Sequence, residues 1–129
     1  MKPNAIVVQP SHVEFDEIIE NFCEKLSDTH YVYLIRPFSE IRDDSPGGVR
    51  FLNHGLDRLP GFAEVGAAIA IGEAEIAAIL GEAYPMSKCV VWDPRFGDPI
   101  PKTLMDMMNP VIVQGHFQQK KREDYASAG

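Results

Sequence analysis

Three of the four histidines, His12, His54 and His116, stand just after short apolar runs, and Glu73 and Asp93 stand at equivalent places. An imidazole titrates near neutral pH. Set against a carboxylate, it can relay a proton or clamp a hydroxyl group. The pairing that the chain order favours is His12 with Glu73. Both follow apolar runs and both lie where a helix should begin, so backbone N–H groups there could also hold an anion. The candidate ligand contacts are therefore Ser11, His12, Glu73, Asp93 and His116. Three of them have a plainer explanation beside the chemical one. Ser11 and Glu73 suit helix starts, and His12 suits a solvated first turn. Turn chemistry accounts for Asn53-His54-Gly55 without any ligand.

Imidazole and carboxylate together also suit zinc or iron, so His12, His54 and His116 with Glu73 or Asp93 form a nameable donor set. No H-x-x-x-H or H-x-H pair anchors it, and the expectation is no metal and no cofactor. Other chemistries lack their residues. Gln9-Pro10-Ser11-His12 stands where a dinucleotide fold would carry G-x-G-x-x-G, and there is no G-x-x-x-x-G-K-[ST] or G-x-S-x-G. Gln9 and Asn53 occupy strand ends where a receiver domain needs acids. Cys23 and Cys89 make no C-x-x-C and read as small buried hydrophobes.

The elements that must position these groups can be read from the apolar pattern. Residues 5–8, Ala-Ile-Val-Val, form a continuous apolar run, as expected of a strand buried on both faces. Ser11-x-x-Glu14 fits a capping box, and the helix should run from there to about residue 27, with Phe15, Ile18, Ile19, Phe22 and Leu26 on one stripe. Residues 30–36 form the second strand and 49–53 a third. Residues 38–48, with Asp43, Asp44, Pro46, Gly47 and Gly48, form a turn-rich loop. A short helix is expected over 59–65, started by Pro60. Residues 67–71 give the fourth strand, 73–84 a helix and 89–92 the fifth strand. An irregular loop covers 93–101, a short helix 102–108 and a sixth strand 110–114.

Strands alternating with helices define an α/β chain. The expectation is a single Rossmann-like three-layer α/β/α domain over residues 1–117, with a mostly parallel sheet of five or six strands. A polar C-terminal tail covers 118–129. The expected strand order is 3-2-1-4-5-6, with 2-1-3-4-5 as the alternative. In the first order, strands one and four flank the crevice where open parallel sheets bind ligands.

Bulk composition narrows the function. The 129 residues carry 12 Lys and Arg against 19 Asp and Glu, a net charge of −7. That is not the footprint of a nucleic-acid binder. Lys120-Lys121-Arg122 runs into Glu123-Asp124 and reads as a solvated face. The N-terminal apolar run is too short for a signal peptide, and the longest apolar stretch, 65–72, falls far short of the roughly 18 residues of a membrane span. The expectation is a cytoplasmic protein with no membrane span and no nucleic-acid partner.

From residue 67 onward, the pieces Ala67-Ala68-Ile69-Ala70-Ile71, Glu75-Ile76-Ala77-Ala78-Ile79-Leu80, Lys88-Cys89-Val90-Val91-Trp92-Asp93 and Val111-Ile112-Val113-Gln114-Gly115-His116-Phe117 follow one another, a pattern of elements rather than an invariant motif. The order resembles the N-terminal, acceptor-side half of glycosyltransferases of the GT-B type. The likeness covers about half the chain. It departs from the family in lacking a glycine-rich loop after the first strand, and Trp92-Asp93-Pro94-Arg95 replaces a histidine-containing turn. The donor-binding second domain is missing. The resemblance implies a domain that holds a sugar or nucleotide-type ligand at the strand ends and transfers nothing by itself. The alternative is a regulatory or assembly module acting through a homo-oligomer or a protein partner.

Overall fold

The computed structural model describes residues 2–14, 16–41, 44–45, 47–96, 100–102 and 105. The elements are β1 (Asn4–Val8), α1 (Asp16–Leu26), β2 (Tyr31–Ile35), β3 (Val49–Leu52), β4 (Val65–Ile71), α2 (Ala74–Ala83) and β5 (Lys88–Trp92). Short 3-10 turns occur at Leu56–Arg58 and Pro94–Phe96. The sheet is five-stranded in the order β3-β2-β1-β4-β5, and every neighbouring pair is parallel. This is an α/β domain of Rossmann-like strand order, as the alternating apolar runs require. The expected sixth strand, most of the 102–108 helix, His116 and the 118–129 tail lie outside the described residues.

Side chains alternate across each strand, so the sheet feeds two cores. Ala5, Val7, Val32, Leu34, Ala67, Ile69 and Trp92 share one cluster with Ile19, Phe22, Cys23 and Leu26 of α1. Ile6, Val8, Ile35, Ala68 and Ala70 share the other with Ile76 and Leu80 of α2. Such double-sided burial explains why β1 and β4 read as unbroken apolar runs rather than alternating ones. Alanines at 67, 68 and 70 let neighbouring layers come close.

Three local expectations need correction. The Ser11–Glu14 capping box does not start α1. Pro10–Val13 forms a tight turn closed by the Val13 N–H on the Pro10 carbonyl, and the helix begins at Asp16. The buried stripe of α1 is consequently 19, 22, 23 and 26, while Ile18 is exposed. Cys23 takes an inward position because a small apolar group fits between helix and sheet. Cys89 was expected inside as well but is exposed, on the outermost described strand. The helix expected over 59–65 is absent. Pro60 pushes Leu59 to an extended conformation (φ −62°, ψ 139°), which ends the preceding 3-10 turn. Residues 53–64 instead cross from β3 past β2 and β1 to reach β4. Leu56, Leu59 and Phe62 pack against the α2-side core on the way.

Among the described residues, no helix is long and apolar enough to cross a membrane.

Candidate functional site

The carboxyl ends of all five strands lie along one edge of the sheet, because every pair is parallel. The chain leaves β1 towards β2 on one side, while β4 lies on the other, which makes the β1/β4 boundary the topological switch point. His12 follows β1 and Glu73 follows β4. The two meet there, His12 Nε2 lying 2.5 Å from Glu73 Oε2. The expected pairing of these residues is therefore present.

Local geometry explains how Glu73 is free to do this. Gly72 ends β4 with φ +86°, a conformation that suits glycine, and its N–H donates to the Trp92 carbonyl. A Cβ at Gly72 would stand 3.1 Å from Val13 Cγ2 and 3.3 Å from Arg95 Nη2, so the close approach also favours glycine. Glu73 then occupies the N-cap of α2 in extended conformation. Its side chain makes no cap hydrogen bond and reaches across to His12. Both side chains are partly open to solvent, at 54% and 34% exposure.

Asp93, just after β5, is buried and fixed by Arg95. Arg95 donates from Nε to Oδ1 at 3.0 Å and from Nη2 to Oδ2 at 2.8 Å, and its backbone N–H donates to Oδ1. The guanidinium's hydrogen bonds hold the Asp93 carboxyl below the usual carboxylate range. Asp93 in turn raises the Arg95 pKa, with a smaller contribution from the charge of Glu73. His12, Glu73, Arg95 and Asp93 thus follow one another as a row of polar groups along the β1, β4 and β5 ends.

Ser11 is exposed and turns the other way. With Gln9, Asp16, Arg36 and Ser39 it lines a hollow of about 180 Å³ at the β1 and β2 ends. At the floor of that hollow sits an arrangement that the sequence reading did not single out. Gln9 is buried, and its Nε2 donates to the Val13 carbonyl and to Asp16 Oδ1. Arg36 Nε donates to Gln9 Oε1 at 2.9 Å and Nη2 to Glu20 Oε2 at 2.7 Å. The guanidinium also lies 5.0 Å from the Phe51 ring centroid. The available signal was register: Gln9 and Arg36 each come one residue after the paired ends Val8 and Ile35. Phe38 stands on the same edge, 86% exposed and at φ +62°, a strained conformation for an aromatic residue.

Of the donor set considered for a metal, His116 lies outside the described residues and the described members stand apart. His54 follows β3, at the far side of the sheet from β4, and among the described residues no three His, Cys, Asp or Glu side chains gather as a metal would need. Compared with known protein families, curated proteins and solved structures, the chain matches none.

Proposed function

We propose that the carboxyl edge around the β1/β4 switch point binds a neutral, hydroxyl-rich ligand of sugar or nucleoside type, in the manner of an acceptor-side half of a glycosyltransferase, and that the chain carries out no transfer alone. The observation that carries this reading is the His12–Glu73 pair spanning the switch point. Charge decides between ligand chemistries. Among the described residues, Glu14, Asp16, Glu20, Glu73 and Asp93 stand along this edge against Arg36 and Arg95, with His12 beside Glu73. A phosphate would meet a carboxylate majority, whereas a polyol offers donors to the carboxylates and acceptors to the guanidinium groups. Phe38 adds an exposed ring face suited to the apolar face of a sugar.

A thermal-shift series tests this. Glucose, galactose, N-acetylglucosamine, uridine, uridine monophosphate and inorganic phosphate are added to the wild type, His12→Ala and Glu73→Gln. A ligand at 100 times its dissociation constant adds about 2.7 kcal/mol, a rise of several degrees. The expected result is a rise with a sugar or nucleoside that both variants reduce. A rise confined to phosphate, or one identical in all three proteins, refutes the reading.

A second reading, an assembly module, draws on a different place. Among the described residues β5 ends the sheet, and Val91 and Ile79 are 40% and 37% exposed. Silence throughout the ligand series, together with a stable oligomer in sedimentation velocity, would favour it.

A further inference from the structure

The opposite edge of the sheet holds a larger concavity, independent of the site above. It has a volume of about 410 Å³ and lies where β4 begins and the α2–β5 connection passes, lined by Phe62, Glu64, Val65, Tyr84, Pro85 and Met86. That volume is in the range of small-molecule pockets. Its walls are tied down. Phe62 stacks on Tyr33 with centroids 4.3 Å apart. The Tyr84 hydroxyl donates to the Pro60 carbonyl, which uses the phenol's proton internally. Asn4 bonds through its backbone N–H to the Glu64 carbonyl and through its side chain to the Ala63 carbonyl.

Within this apolar lining, among the described residues, Glu64 alone is charged. Burial raises the Tyr84 pKa, so the phenol stays neutral at physiological pH. Glu64 is exposed and sits at φ +52°. Met86 is 92% exposed and can fold over an occupant, as a flexible thioether does. We infer that this amino-edge cavity binds a small amphipathic amine, its apolar body between Phe62, Tyr84 and Met86 and its ammonium group at the Glu64 carboxylate. Charge complementarity selects the amine, and the aromatic walls select a flat or ring-bearing body. A cation near these rings also gains from their faces.

The test is a titration of the ¹⁵N-labelled chain with 2-phenylethylamine and with its neutral counterpart 2-phenylethanol, followed by amide shifts. The expected shifts centre on Phe62, Glu64, Tyr84 and Met86, with the amine binding about two- to fivefold tighter, as one solvent-facing ion pair allows. Glu64→Gln should abolish that preference. Met86→Lys, at a position whose exposure makes it harmless to the fold, should weaken the amine more than the alcohol. No shifts with either compound, shifts located elsewhere, an alcohol that binds as well as the amine, or a preference that survives Glu64→Gln would overturn the inference.

Discussion

Replacing Arg36 by alanine tests whether the floor of the carboxyl-edge hollow is a structural hub. The side chain is 13% exposed and its partner Glu20 is 15% exposed. Removal takes away the hydrogen bonds that Arg36 now donates to the Glu20 carboxylate and to Gln9 Oε1. Breaking such a largely buried pair from one side costs about 3–5 kcal/mol. Loss of the contact with the Phe51 ring adds to this, by about 0.5–2 kcal/mol. Some relaxation of Glu20 towards solvent will reduce the sum, so about 3–4 kcal/mol is expected. With a urea m-value of about 2 kcal/mol/M, the unfolding midpoint should fall by about 1.5–2 M. The assay is urea unfolding followed by fluorescence of the single tryptophan, Trp92, which lies in the core shared with α1. The double variant Arg36→Met, Glu20→Met should recover much of the loss, because no buried charge is then left uncompensated. A loss below about 1 kcal/mol for Arg36→Ala would refute the reasoning, since it would put this network among ordinary surface ion pairs.

Two further outcomes follow from buried titratable groups. His30 is buried just before β2, and burial, then the nearby Lys2 ammonium, keep its pKa below the ordinary 6.5. Above that pH it is neutral folded or unfolded. As pH falls through 6.5 the unfolded chain takes up the proton first, so stability declines until the pH is below the folded value. Urea midpoints at about pH 7.5 and about pH 5.5 should differ in the wild type and differ less in His30→Gln; equal slopes would discard the argument. Cys23 is fully buried and its thiol is pushed far up by that burial, whereas Cys89 is exposed. Iodoacetamide should therefore label native protein at Cys89 and leave Cys23 until urea is added, as peptide mass mapping would show.

How much was legible in the sequence depended on the kind of signal. The first five strands and their order were legible, helped by the burial of β1 and β4 on both faces, which forces unbroken apolar runs such as Ala5-Ile6-Val7-Val8. The start of α1 was not. Ser11 and Glu14 have the right spacing for a cap, but Gln9 binds the Val13 carbonyl and Asp16 and moves the helix start beyond them. The 59–65 segment misled for a related reason. A proline that could open a helix is also one that can end a turn, and only the need to pass two strands on the way from β3 to β4 decides between them. At the site, His12 and Glu73 were legible as a pair because strand order alone brings β1 and β4 side by side. The Gln9–Arg36–Glu20 network was less so, because it depends on the register between β1 and β2 and on which face α1 turns inward.

These two groups of polar residues divide the carboxyl edge by energetic role. Gln9, Arg36 and Glu20 are shielded from water, so their hydrogen bonds cannot be exchanged for solvent without loss. Their geometry is part of the fold. His12 and Glu73 are open to solvent, and an exposed pair of this kind contributes between nothing and about 1 kcal/mol. The fold therefore does not require them to stay paired. A ligand hydroxyl could insert between imidazole and carboxylate at small cost, while the hub behind Ser11 keeps the turn after β1 in place. A rigid floor with a rim that can exchange its partners is what a binding edge needs. His12→Ala should thus leave the unfolding midpoint nearly unchanged while reducing the proposed ligand response, whereas Arg36→Ala should lower the midpoint itself.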